Sequence, residues 1–171
     1  MNSDRRRDLP EVISNTSPLQ YLHQLGLLDL LPRLAEHITV PPGVIEELEA
    51  GHALGLDIPD ISVLDWVSIR APGQSKSQLP IADLGHGETE VLLLGLESAG
   101  EVVLILDDAQ ARKAAKAVGL KFTGTLGVLL DAKRAGLLQV VKPQLDRLDA
   151  LGFRLARHTR DAVLRLASET I

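Results

Sequence analysis

Residues 102–106, "VVLIL", are five consecutive apolar residues that stop abruptly at two aspartates, Asp107 and Asp108. No other feature constrains the fold as tightly. A strand without polar alternation has to be covered on both faces, and the sheets that allow this are parallel ones with helices packed on each side. The neighbouring segments supply those helices. "DLGHGETEVLLLGLESAG" reads as a helix entered through Gly87 and left at Gly100. "DDAQARKAAKAVG" reads as a helix with acids at its head and bases at its tail, as the macrodipole favours. "LKFTG" and "TLGVLLDAKRAG" repeat the strand-then-helix step.

The first half follows the same alternation. "EVIS" is a β-prone run, and "NTSP" supplies Ser or Thr as a helix cap with Pro18 suited to the first helical position. Leu19, Leu22 and Leu25 give a helical stripe that ends at Gly26, and "LLDLLPRL" suggests a second short helix or a continuation. "HITV" reads as a strand. "PPGVIEELEAG" reads as a Pro-started helix with Val44, Ile45 and Leu48 facing the core and Gly51 closing it. Residues 52–83 form a loop-rich insertion containing a possible edge strand, "WVSIRA", and an exposed loop, "PGQSKSQLP". Two further helices are expected at about 143–171. Their apolar contacts would be Leu148, Leu151, Ala162, Val163 and Leu166, serving a dimer, a partner or the closure of the core. The expected organisation is a flexible arm over 1–10 and one α/β domain over 11–171. That domain is a three-layer α/β/α arrangement around a mainly parallel sheet of about four to five strands.

Composition narrows the chemistry. The chain has 171 residues, 45% of them hydrophobic, enough for a sizeable core. Aromatics are only 2%, which disfavours nucleic-acid binding through a stacking platform. The absence of cysteine excludes disulfides, thiol nucleophiles and Cys-based zinc sites. No apolar run approaches the roughly 20 residues that span a bilayer, and "MNSDRRRDLPE" is not followed by a signal-peptide core. A cytoplasmic protein without a membrane partner is expected. Charge is unevenly spread: residues 8–108 hold 17 acids against 3 bases, and residues 109–165 hold 4 against 12. The acidic part suits a cation and the basic part suits phosphate, although solvated helix faces would give the same counts.

In parallel sheets the site lies at the carboxyl ends of the strands. Asn15, Asp107 and Asp108 should therefore meet in space. One aspartate is explained by helix capping, worth about 0.5–2 kcal/mol over Ala, but two together at a strand end call for a cation. Glu88 follows "GHG" at a helix start, and Glu46 and Glu47 lie one turn into another helix. Each has a bland reading as a helix-terminal or solvated acid; jointly they give an oxygen-only cluster that selects Mg²⁺ or Mn²⁺ over zinc. The five histidines form no metal pair at helical spacing, and no "GxxxxGK[ST]", complete dinucleotide fingerprint or "GxSxG" is present. A phosphoacceptor receiver would carry its acidic pair after the first strand, not more than ninety residues later.

Six stretches together carry a family resemblance: "VISNTSPLQYLHQLGLLDLL", "ITVPPGVIEEL", "LGHGETEVLLLGLE", "VVLILDDAQARKAAKAVGLK", "GTLGVLLDAKRAGLL" and "LDALGFRLARHT". Over almost its whole length the chain resembles PIN-domain proteins, in a branch close to VapC-type toxin ribonucleases. The resemblance implies a nuclease in which about four acids hold one or two divalent ions and activate water against a phosphodiester, usually in RNA. Carried over by position, the first acid falls on Asn15, with Thr16 and Ser17 as the small polar residues beside it. The second falls on Glu47, the third on Glu88 with Glu90 as a less favoured register, and the fourth on Asp107 or Asp108, of which Asp108 fits better.

Asn15 is the departure from the pattern. It keeps a carbonyl oxygen for a metal but removes one negative charge. Two functions follow as alternatives: an endoribonuclease of a toxin–antitoxin pair, or a catalytically weakened module that binds RNA or protein. Thr125 is expected to cap a helix or to meet a phosphate, with the cap favoured. Lys113, Lys116, Lys133 and Arg134 are candidates for the substrate backbone. A small antitoxin and a homodimer are the expected protein partners.

Overall fold

A computed structural model describes residues 9–73, 79 and 83–170. Residues 1–8 of the expected arm and most of "GQSKSQLP" lie outside the described residues, as does Ile171. Five strands pair in the order β3-β2-β1-β4-β5, all parallel. They are β1 Glu11–Ser14, β2 Ile38–Val40, β3 Val67–Ile69, β4 Val102–Ile105 and β5 Lys121–Thr123. Eight α-helices among the described residues flank them: α1 Thr16–Gln24, α2 Leu30–Ala35, α3 Pro42–Ala53, α4 His86–Glu97, α5 Ala109–Ala117, α6 Thr125–Arg134, α7 Lys142–Ala150 and α8 Arg157–Leu166. The three-layer α/β/α arrangement is the one the apolar strand requires.

Strand order explains where a site can form. The chain steps outward from β1 through β2 to β3, then returns to the other side of β1 with β4 and continues to β5. The carboxyl ends of β1 and β4 therefore flank the point at which the winding reverses, where such sheets open a crevice. β1 and β4 pair from Glu11↔Val102 through Ser14↔Ile105, and the Asn15 N–H extends the ladder to the Ile105 carbonyl at 3.1 Å. Beneath the crevice Ile13 and Leu104 are fully buried with Leu92, Leu94 and Leu129. Truncating such a leucine to Ala typically costs about 2–5 kcal/mol.

Several local expectations change. Helix α1 starts at Thr16 with Asn15 in the capping position, so Pro18 is its third residue rather than its first. Asn15 makes no capping bond because its side chain is turned towards α4. Gly51 does not close α3, which runs on to Ala53; it is buried, and a Cβ there would lie 2.7 Å from the Ile58 Cδ1. The reversal falls to Gly55, at φ +78°. Helix α4 is capped by Gly85 and ends at Glu97, so Gly87 lies inside its first turn and Gly100 lies beyond it. In the C-terminal helices Leu148 and Val163 close the core, whereas Leu151 and Leu166 are exposed.

Candidate active site

Asn15 stands directly after β1 at the carboxyl edge of the sheet, 2% exposed. Its Nδ2 donates to the Glu88 Oε1 at 3.4 Å, while its Oδ1 is buried without a hydrogen-bond partner. Buried acceptors are rarely left so, because the lost hydration is not repaid. Glu88, in the first turn of α4, is half-buried. Its carboxyl is pushed above the usual range first by burial and then by the negative charges of Glu47 and Asp108, against the opposing bond from Asn15. Glu47, Glu88 and Asp108 thus converge electrostatically, and none of them is in a salt bridge among the described residues.

Glu47 reaches the crevice from α3. One carboxylate oxygen accepts from the Thr16 hydroxyl in a short bond, and the other accepts from the Gly87 N–H at 3.1 Å. The glycine gives that carboxylate room: a Cβ on Gly87 would lie 2.8 Å from the Glu47 Oε1 and push it aside. Gly43 plays the matching part on α3, where its N–H donates to the Glu90 Oε2 at 2.7 Å and a Cβ would lie 2.8 Å from the His86 Cδ2. The "GHGE" stretch is therefore a close-approach motif that lets α3 and α4 bring Glu47 and Glu88 together. Glu90, the alternative register, points to α3 and the His86 ring, 3.3 Å away, so it does not share the bonds of Asn15.

The two aspartates after β4 divide. Asp107 accepts from the Thr125 N–H at 2.7 Å and from the Thr125 hydroxyl at 2.6 Å, tying the end of β4 to the head of α6. Burial raises its proton affinity, and the Thr125 bonds and the charge of Arg112 oppose that rise only in part. Its charge also adds to burial in raising the Tyr21 phenol on α1. Asp108 is exposed and caps α5 by accepting from the Ala111 N–H at 2.8 Å.

Thr125 corrects an expectation. It is the first residue of α6, with Gly124 in the cap position, so it is not the cap. It is also fully buried with its hydroxyl committed to Asp107, which removes it from contact with a phosphate. Thr16 likewise spends its hydroxyl on Glu47, and Ser17 is half-buried beside it. Lys133 is held by Glu169 at 2.8 Å and Arg134 by Asp131 at 3.3 Å, so both candidates for substrate contact are engaged elsewhere. Lys113 and Lys116 remain exposed on α5. Sequence reasoning did not find the roles of Gly43 and Gly87 or the link between Asp107 and Thr125; "GHG" and "GTLG" were the available signals.

A family model described as DUF3368, a PIN domain, matches residues 11–169. The chain belongs to the PIN-domain family. No curated protein matches it. PIN domains are nuclease-type folds that typically use divalent metal ions. Among the described residues no three His, Asp or Glu side chains stand close enough together to hold an ion by themselves. The donor chemistry nevertheless fits a hard cation in this PIN domain: Asn15, with its free buried Oδ1, adjoins the Glu88 carboxylate, which has no salt bridge among the described residues. Mg²⁺ needs no more than one or two carboxylates when waters complete its shell.

Proposed function

We propose that this PIN-domain protein is a divalent-metal-dependent endoribonuclease of the VapC-like toxin–antitoxin kind. The supporting observation is the unpartnered, buried Oδ1 of Asn15 beside Glu88. In this reading Asn15, Glu47, Glu88 and Asp108 would hold Mg²⁺ or Mn²⁺, which when bound lowers the pKa of a coordinated water and offsets charge developing on the phosphate. The residues themselves do the positioning. Thr16 and the Gly87 N–H fix the Glu47 carboxylate, the Asn15 amide orients Glu88, and Asp107 anchors α6 without touching the reacting atoms. No side chain needs to serve as nucleophile. A small antitoxin and a second copy of the chain are the partners in this proposal, with the exposed Leu151 and Leu166 of the C-terminal region available to them.

Asn15 also favours a second reading, a silent module that binds RNA or protein, because one charge is missing from the donor set. The two are separated by incubating a mixed pool of structured and single-stranded RNA with Mn²⁺ or Mg²⁺, using the wild type, Asn15→Asp and Asp108→Asn. Asparagine at 108 removes the charge but retains the ability to cap α5. Cutting by the wild type that disappears in Asp108→Asn supports the nuclease; silence in the wild type with activity gained in Asn15→Asp supports the binding module.

A further inference from the structure

We propose that the exposed face of α5, carrying Arg112, Lys113 and Lys116, is a track for the phosphates of single-stranded RNA leading away from the crevice; this rests on the ribonuclease reading above. Positions 112, 113 and 116 share one helical face, and all three are exposed, while Ala111, Ala114 and Ala115 on the opposite side are buried. The small alanines let the helix lie close to the sheet, and the charged residues left outward on it are all cations. The stripe begins at Asp108, the cap of α5, and reaches Lys116 about 12 Å along the axis at the usual rise per residue.

A merely solvated face is a poorer account of this pattern. Solvated helices mix signs, but the chain has no acid between Asp108 and Asp131. Arg112 and Lys116 are spaced i,i+4 and Lys113 and Lys116 i,i+3, so the helix bears like-charge repulsion. Arg112 also lies in the first turn, where the macrodipole disfavours a cation. Its guanidinium is held 5.0 Å from the Phe122 ring centroid, which fixes one end of the stripe against β5. Lys113 and Lys116 have no side-chain partner among the described residues, unlike Lys133, Arg134 and Arg160, which are paired with Glu169, Asp131 and Asp146. Asp107 and Phe122 offset part of the cost at Arg112, and the helix end favours Lys116, but neither lysine has a carboxylate of its own protein to meet among the described residues, and that leaves both to an external anion. RNA phosphate is favoured over an acidic protein segment because the stripe starts at the carboxylates proposed to cut phosphodiesters.

The test measures binding of a fluorescein-labelled single-stranded RNA by anisotropy in EDTA, across a salt series, for the wild type and for Arg112→Gln/Lys113→Gln/Lys116→Gln. Arg157→Gln/Arg165→Gln on α8 is the control for general charge, and melting temperature checks folding. The stripe variant is expected to stay folded, with a melt lowered at most modestly by loss of the Arg112 contact with Phe122, and to bind about tenfold or more weakly at low salt. Its slope of log affinity against log salt should be shallower by about 2, from roughly 0.7 per phosphate contact on a single strand. The control should retain affinity and slope. Equal losses in both variants, an unchanged slope in the stripe variant, or no RNA binding by the wild type would overturn the track; so would stripe-dependent binding of poly-glutamate in place of RNA. Because binding is read without metal, a track that holds in a protein that never cuts RNA would refute only the nuclease reading. Cleavage with unaltered binding would refute only the track.

Discussion

The two sides of the crevice treat their acids differently. On the β4–α6 side, Asp107 receives two bonds from Thr125 and acts as a joint between elements. On the β1–α4 side, Asn15 keeps a buried oxygen without a donor, and Glu88 has a long bond from Asn15 and one from its own N–H to set against its neighbours' negative charge. Burial raises the proton affinity of both carboxyls, so what separates them is hydrogen bonding: Asp107 is tied to its own protein, and Glu88 is left more open to a ligand. Glu47 lies between these cases, with both oxygens bonded and lone pairs still available.

The largest effect that tests this contrast is on activity. Glu88→Gln should lower metal-dependent RNA cleavage by about 10³-fold, since several kcal/mol of charge stabilisation are at stake, and a gel assay in Mn²⁺ reads it. A variant that cuts normally would move Glu88 out of the site. Asp107→Ala addresses the opposite side: it strands the buried Thr125 hydroxyl and N–H and should cost about 2 kcal/mol. That corresponds to about 4–8 °C in melting temperature for a chain of this size. An unchanged melt would remove the distinction between the two sides.

Asn15→Asp sharpens the comparison further. It puts a carboxylate where an amide now donates to Glu88, so the metal-free protein should melt lower and Mn²⁺ affinity, by calorimetry, should rise about tenfold. Lower stability with no gain in affinity would mean that position 15 does not face the cation. The smallest effect is on pH dependence. Glu88 has a raised folded-state pKa, so it binds protons more tightly in the native than in the unfolded chain. Its contribution to stability is present below the unfolded value and is lost as pH rises through the folded one. The metal-free wild type should therefore lose stability relative to Glu88→Gln between mildly acidic and neutral pH, and melts of both across that interval measure the difference.

The fold and the place of the candidate site were legible in the chain for local reasons. An unbroken apolar strand forces burial on both faces, and the alternation of strand and helix forces parallel pairing, so Asn15 and Asp107 had to approach once β1 and β4 became neighbours. Single residues such as Gly51 were less legible, because a helix-ending glycine and a helix-packing glycine look alike until Ile58 is seen against it.

The sequence by itself determined the layer architecture, the carboxyl-edge location and an oxygen-rich donor set, since these depend on periodicity and residue type. Tertiary structure decided which acid is committed and which is free. Asn15 meets Glu88 across 73 positions, Thr16 meets Glu47 across 31, and Asp107 meets Thr125 across 18. Hydrogen bonds are won or lost over tenths of an ångström, and the placement of helices around the sheet sets distances that fine.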